Sequence, residues 1–323
     1  MSGASGKAVE TWPRLTGVRH VVTIGNFDGI HRGHQHLLSR VTARAKELNV
    51  PSLVVTFEPH PATILRPEHA PPRIATPEEK FKRLHAAGID EVVAIPFDRA
   101  FAALSPEEFL TLVADNVCPT DVYVGAGFRF GKMRAGDIGT IQQFGNQHGF
   151  DCHTVEPLSD EDGVISSSRL RASLLAGNVA AASKLLGRRY RLAGEVEHGM
   201  ARGKDLGYPT ANLNVPDGLC VPQDGIYAGY GHFDSQSNAA HEALIYIGTS
   251  PTFGDRPRLV EVNILDFRGD LYGRGLEIEF VELIRGDQTF DTTEALITQM
   301  AQDETKARQV LSDTAPEPDL RGS

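Results

Sequence analysis

The chain predicts two folded halves of different class: an α/β half built on a parallel sheet, then an antiparallel β half that ends in one helix. Three observations carry this. Runs suited to buried strands alternate with amphipathic helical patterns from residue 20 to about 187. From Tyr190 the apolar period falls to two, and strands follow one another without helices between them. A length of 323 residues supports two cores, and 41% apolar with 23% charged residues is an ordinary globular composition.

Taken in order, Val21-Val-Thr-Ile24 suits a buried strand and stops at Gly25. An Asn-Phe-Asp-Gly turn follows, and His31-Arg-Gly-His34 opens a helical pattern with Leu37, Leu38, Val41, Ala45 and Leu48 on one face. Such a helix start presents unpaired N–H groups and the positive end of the dipole, which favours an anion, typically a phosphate. His31 and His34 are three apart, so both point the same way from the first turn, each with a ring N–H to offer. Read as a metal set, His31, His34 and His36 lack a carboxylate or cysteine at helical spacing. Read singly, either histidine is a cap or a solvated side chain.

Ser52 to Phe57 is a second strand running into Glu58-Pro-His-Pro61, where two prolines forbid continuation. Thr76-Pro-Glu-Glu79 and Ser105-Pro-Glu-Glu108 are helix starts, with a hydroxyl cap, proline at the first position and acids in the first turn. Val92 to Ile95 and Val122 to Gly125 are further strands, and a helix is expected from Ile138 to His148. This alternation predicts a parallel sheet covered on both faces, with ligands beyond the carboxyl ends of its strands. The unusual loops, 25–34, 58–61 and 125–137, all leave at that edge. The last of them, Gly125 to Asp137, holds four glycines and three cations and is either a phosphate cover or a mobile connection. Ile165-Ser-Ser-Ser-Arg-Leu-Arg171 puts hydroxyls and arginines at a helix start, against the dipole, which a nearby anion explains. Gly187 caps the helical run.

In the second half, Arg191–His198, Thr210–Val215, Gly225–Phe233, Glu242–Gly248, Leu259–Phe267 and Leu276–Leu283 read as six strands of an antiparallel barrel or sandwich. A helix from Thr292 to Leu311 follows, and the tail from Ser312 is expected to fray. Between His198 and Leu213 lie Gly199, Gly203, Gly207, Arg202 and Lys204, then Pro-Thr-Ala-Asn. Glycines and backbone amides can wrap a phosphate, while Thr210 and Asn212 offer neutral oxygens suited to Mg²⁺. The plain alternative is a hairpin loop entering a strand. In Val260-Glu-Val-Asn-Ile264 the apolar residues share one face, leaving Glu261 and Asn263 on the other, by default a solvated one.

A formal charge of −10 argues against a general binder of nucleic acid or membrane surfaces. Cys118, Cys152 and Cys220 are far apart and odd in number, as in a reducing cytoplasm. Met1 to Ala8 lacks an apolar signal core, and no apolar run approaches the ~18 residues of a membrane span. These features predict a cytoplasmic protein; nothing in them sets an oligomeric state.

Four motifs occur in a telling order: G-x-F-D-G-x-H-x-G-H (Gly25 to His34), T-F-E-P-H-P (Thr56 to Pro61), F-R-F-G (Phe128 to Gly131) and I-S-S-S-R-L-R (Ile165 to Arg171). With G-Y-P-T-A-N-L (Gly207 to Leu213) and V-E-x-x-I-L-D-F (Val260 to Phe267), the chain resembles the prokaryotic bifunctional riboflavin kinase/FAD synthetase family from about residue 15 to 311. The resemblance implies a Rossmann-like nucleotidylyltransferase domain (1–187) and a six-stranded antiparallel β-barrel riboflavin kinase domain with a C-terminal helix (188–312). A flexible tail (313–323) follows. It implies riboflavin, FMN and ATP as substrates, Mg²⁺ as cofactor, and FMN and FAD as products. By matching position, His31 and His34 would stabilise the triphosphate. Gly25, Phe27, Asp28, Gly127, Arg129, Ser167, Ser168 and Arg169 would complete the nucleotide and flavin site. In the kinase half, Gly199, Gly203 and Lys204 would bind phosphates, Thr210 and Asn212 would take Mg²⁺–ATP, and Glu261 would act as general base. Three positions depart from the pattern: Gly127 stands where Asn or Asp is common, Ser168 where threonine is usual, and Ala201 where glycine is frequent. Gly127 leaves open a kinase whose first half adenylylates weakly or uses another acceptor, and a third reading is a non-catalytic flavin-binding regulator.

Overall fold

Five strands, β1 (His20–Ile24), β2 (Ser52–Glu58), β3 (Glu91–Pro96), β4 (Pro119–Gly125) and β5 (Asp151–Val155), pair in parallel in the order β3-β2-β1-β4-β5. The computed structural model describes residues 14–15, 17–197, 208–233, 239–248 and 258–317. Four of the strands lie where apolar runs predict them. The fifth, Asp-Cys-His-Thr-Val at the sheet edge, has only Val155 buried and so carries no apolar run to read.

Alternation along β1 splits the first core in two. Val21 packs with α1 (Arg32–Leu48) and α3 (Pro77–Ala86) through Leu38, Val41, Ala45 and Leu84. Val22 and Ile24 face α4 (Pro106–Val117) and α5 (Ile138–His148) through Val113, Val117 and Ile141. Between α1 and α3 runs the short α2 (Pro61–Leu65). The helix starts read from sequence are real caps: Thr76 accepts from Glu79 N, and Ser105 with Glu108 forms a reciprocal capping box. Each such cap contributes about 1 kcal/mol. A small antiparallel pair, β6 (Ser159–Asp160) and β7 (Gly163–Val164), precedes α6 (Ser167–Leu175).

The chain divides into two compact units at Ser167/Ser168, ahead of the boundary at 187 drawn from sequence. The reason is local: Gln223 N donates to Leu174 O at 3.2 Å, so the last turn of α6 is bonded within the second unit. α7 (Val179–Leu186) follows and ends at Gly187, whose φ of 72° makes it the left-handed cap the sequence predicts.

The second unit is a closed barrel, which settles barrel against sandwich. Its order is β10-β11-β12-β9-β8-β13, with β8 (Arg191–Glu197), β9 (Ala211–Asn214), β10 (Gly225–His232), β11 (His241–Gly248), β12 (Leu259–Ile264) and β13 (Gly275–Gly286). Tyr227, Ile245, Val262, Ile278 and Phe280 are fully buried in it. α8 (Thr293–Ser312) lays Ala307 and Leu311 on Ala228, Tyr230 and Leu244. The tail expected to fray from Ser312 is tied down as far as Glu317. Tyr230 donates its hydroxyl to Thr314 O at 2.7 Å, and Arg189 N donates to the Glu317 carboxylate at 2.8 Å. Glu317 N in turn donates to Glu279, a fully buried carboxylate also held by Arg189 and Arg191.

Candidate functional site

The strand order reverses between β1 and β4, and the crevice beyond the carboxyl ends at such a switch point is where doubly wound sheets hold ligands. The turn after β1 and the glycine-rich loop after β4 flank it. In register, Thr23 stands beside Tyr123, so Gly25 and Gly125 leave adjacent strands together.

His31 is the N-cap of α1, and its Nδ1 accepts the backbone N–H of His34 at 3.2 Å. With Nδ1 used as acceptor, the ring proton sits on Nε2, which is then a donor. The two imidazoles stack with centroids 3.7 Å apart and 17° between planes, and Phe27 lies 5.2 Å from the His34 ring. Gly33 makes this possible: a Cβ there would meet Ile165 O at 2.9 Å and the His31 ring at 3.1 Å.

The turn feeding the cap is strained and heavily held. Phe27 (φ 49°) and Ile30 (φ 44°) take left-handed backbone that costs side-chain-bearing residues roughly 1–3 kcal/mol each. The Asp28 carboxylate accepts from Ile74 N at 3.0 and 3.2 Å, and Asp28 O accepts from the Ser167 hydroxyl at 3.0 Å. Asn26 O accepts from the Thr56 hydroxyl at 3.3 Å, and Ile30 O from Gln35 Nε2 at 2.9 Å.

The structure therefore brings Gly25, Phe27, Asp28, His31, His34 and Ser167 together. Ser167, expected at the phosphates, spends its hydroxyl proton on the turn backbone. Ser168, exposed, and Arg169, half-buried, continue the first turn of α6. Arg129 is paired instead with Asp137 at 3.3 Å in an exposed bridge. The glycine-rich loop is folded on itself, Phe130 and Gly136 bonding reciprocally at 3.2 and 3.0 Å, so it is not a loose connection. A Cβ at Gly127 would meet nothing within 4 Å.

Two features of this edge were not read from sequence. Six phenylalanines, Phe57, Phe97, Phe101, Phe109, Phe130 and Phe128, run ring to ring with centroids 5.4–6.0 Å apart from β2 to the loop after β4. Phe57, Phe97 and Phe128 remain half-buried. The other is Lys80, only 5% exposed, on the same buried side of α3 as Leu84. Its spacing of four from Leu84 was the available signal.

In the barrel, Asn212 and Glu261 stand directly opposite each other across β9 and β12, and Tyr246 opposes Glu261 on the other side. Thr210, just ahead of β9, lines a cavity of about 100 Å³ with Val196, Val262, Phe267, Asp270 and Tyr272. Asn263 is buried rather than solvated: its Nδ2 donates to Pro209 O at 2.7 Å, clamping the approach to Thr210 against β12. Burial raises the Glu261 carboxyl pKa. Burial, with the charges of Asp287, Glu261 and Asp224, pushes Tyr246 up to about 12. Gly199, Gly203 and Lys204 lie outside the described residues.

A possible metal set, Asp121, Asp151 and His153, comes within 4.8 Å at the amino ends of β4 and β5. That is the sheet edge opposite the histidine pair, and Asp121 is already met by His153 at 2.6 Å and Arg44 at 3.2 Å. Among the described residues no helix is long and apolar enough to cross a membrane.

Comparison with known proteins bears on both halves. A family model described as FAD synthetase matches residues 16–169, and one described as riboflavin kinase matches residues 186–311. Proteins named bifunctional riboflavin kinase/FMN adenylyltransferase are similar over nearly the whole chain. That of Escherichia coli K12 is 36% identical, over 92% of this chain and 94% of its own. That of Pseudomonas fluorescens is 38% identical over 91% and 94%, and that of Bacillus subtilis 32% over 91% and 93%. A crystal structure described as a macrolide-efflux protein from Streptococcus pneumoniae is 32% identical and superposes with a TM-score of 0.84, covering 93% of this chain and 96% of that one. A nucleotide edge and a kinase barrel in one chain, matched end to end by such relatives, make it a member of the bifunctional riboflavin kinase/FMN adenylyltransferase family, an enzyme that forms FMN from riboflavin and FAD from FMN with ATP.

Proposed function

We propose that adenylyl transfer occurs at the mouth of α1 and phosphoryl transfer at the β9–β12 rim of the barrel. The observation that carries the first assignment is the stacked histidine pair at a helix N-terminus beside the switch point. His31 Nε2–H and the His34 ring donate to the triphosphate of ATP, while the N-terminal end of α1 adds the helix dipole. The FMN phosphate attacks the α-phosphorus; a P–O bond forms, the bond to the β-phosphate bridge breaks, and pyrophosphate leaves. Holding the two phosphates in line and stabilising developing charge supplies most of the acceleration. The half-buried Phe57, Phe97 and Phe128 offer flat apolar faces suited to a flavin ring. Ser168 and Arg169 assist at the phosphates.

In the barrel, Glu261 takes the proton of the ribityl hydroxyl as that oxygen attacks the γ-phosphorus and ADP leaves. A carboxylate made more basic by burial suits that role. Asn212 presents a neutral oxygen opposite Glu261, and Thr210 offers another two residues ahead of it; these are the residues that would hold Mg²⁺ carried in with ATP. The ion supplies charge neutralisation at the phosphates. Gly199, Gly203 and Lys204 are proposed to complete the phosphate cradle. The three free cysteines fit work in the cytoplasm.

The test is chromatographic separation of flavins after incubating the full chain with riboflavin, ATP and Mg²⁺. His34→Ala should stop FAD formation and leave FMN formation intact, and Glu261→Gln should stop FMN formation while FMN supplied directly still becomes FAD. Loss of both activities in either variant, or of neither, would overturn the assignment.

A further inference from the structure

The turn from Asn26 to Ile30 has left-handed backbone at Phe27, Gly29 and Ile30 and delivers His31 to the cap. Something outside it must hold it. Two hydrogen-bonded arms reach it, and both start at Lys80. On the first arm, the Lys80 ammonium donates to Thr56 Oγ1 at 3.2 Å, and the Thr56 hydroxyl then donates to Asn26 O at 3.3 Å. A threonine hydroxyl has one proton, so accepting from Lys80 leaves that proton for the turn. On the second arm, Lys80 pairs with Glu58, which is also held by Arg73 at 3.2 Å. The residue after Arg73 is Ile74, whose N–H holds the Asp28 carboxylate. The third ammonium hydrogen goes to Phe57 O at 3.5 Å.

We infer that Lys80 is a positioning residue for adenylyl transfer, setting the Asn26–Ile30 turn, and through it the histidine pair, by way of Thr56 and Glu58. Lys80 touches no reacting atom in this scheme. A cation this buried is costly, and burial lowers its pKa against the opposing pull of Glu58. An apolar residue beside Leu84 would serve packing alone better, so the ammonium is retained for what it bonds.

The inference rests on the reading that the histidine pair grips the nucleotide, which His34→Ala tests separately. Lys80→Met, Thr56→Val and the double variant are compared as full chains, with FMN adenylylation and riboflavin phosphorylation measured on the same samples. Misplacing the grip costs alignment more than binding, so kcat for adenylylation should fall about tenfold in each single variant while KM for ATP stays within about threefold. The double variant should be no worse than the worse single one, because Lys80→Met already breaks the arm that Thr56→Val breaks. Riboflavin phosphorylation should be unchanged. Wild-type adenylylation in Lys80→Met, independent losses that multiply, or a rise in KM with kcat intact would each overturn the inference. Should Lys80→Met fail to fold, Thr56→Val alone decides, since it removes one hydroxyl and leaves the Lys80–Glu58 pair. A His34→Ala chain that still makes FAD would instead remove the reading beneath.

Discussion

Gly33→Ala isolates the geometry of the histidine cap better than any histidine substitution, because it leaves both imidazoles in place. The added methyl would lie 2.9 Å from Ile165 O and 3.1 Å from Cε1 and Nδ1 of His31, where ordinary contact begins near 3.4 Å. A backbone carbonyl yields little, so the His31 ring is the neighbour that moves. Overpacking of this kind costs about 1–3 kcal/mol. Alanine is also the better helix former, by about 1 kcal/mol, so the net loss of stability is expected at about 0–2 kcal/mol. The displacement falls instead on the ring that stacks on His34. If the whole overpacking cost appears in the transition state, FMN adenylylation slows roughly 5- to 150-fold. The assay is FAD formation from FMN and ATP, with riboflavin phosphorylation and the thermal midpoint recorded on the same protein. Kinase activity should be untouched and the midpoint should fall by no more than about 8 °C. Adenylylation at the wild-type rate would refute the claim that this contact sets the ring.

Further predictions address the other sites. Glu261→Gln should abolish riboflavin phosphorylation yet leave the protein at least as stable at neutral pH. Burial raises that carboxyl, so its charged form weakens the fold above the raised value, and the penalty vanishes below the ordinary ~4.3. For the same reason the wild-type kinase rate should fall on acidification through a value above ~4.3, and a lower midpoint would refute the placement. Gly127→Asn has open space and should lower KM for FMN roughly fivefold, the worth of one hydrogen bond, with no change in thermal midpoint; an unchanged KM would refute it. Glu279→Gln should cost about 1.5–3 kcal/mol in denaturant unfolding, since it removes the buried charge that Arg189 and Arg191 share while Glu277 still pairs Arg191. Burial alone would raise Glu279, but hydrogen bonds from His232 and Arg189 and the charge of Arg191 hold it below the usual carboxylate value. Its stabilisation is therefore present above the unfolded value and lost as pH falls through the folded one, so the variant should show a flatter acid-unfolding profile.

What could be read from the residues was whatever repeats or punctuates. Val21–Ile24 and Ser52–Phe57 are apolar runs, Thr76-Pro and Ser105-Pro are caps, and all became the elements they suggest. β5 escaped because an edge strand can be polar on both sides. The histidine pair was legible because cap and ligand chemistry coincide in one short stretch. Lys80, Thr56 and Asn263 were not, because each acts through a contact made only by folding: Lys80 and Thr56 come from different elements, and Asn263 looks like any outward residue until Pro209 is laid over it. The hold on the tail as far as Glu317 was hidden for the same reason. The tail's composition is that of a frayed end, but Glu317 finds Arg189 and Glu279 only once the barrel has closed.

The two halves handle the same co-substrate differently, and the nucleophiles explain why. In the first half the attacking group is a phosphate already ionised at neutral pH, so no proton need be removed, and donors for a polyphosphate suffice: a helix mouth and two imidazoles. In the barrel the attacking group is an alcohol, whose proton must go somewhere as the bond forms, so a carboxylate belongs there and burial makes it more basic. On the proposed assignment, one site uses its histidines as donors and the other needs its glutamate ionised. Acidification silences Glu261, whose carboxyl burial raises above its ordinary value, so the kinase rate should fall as pH drops through that raised value.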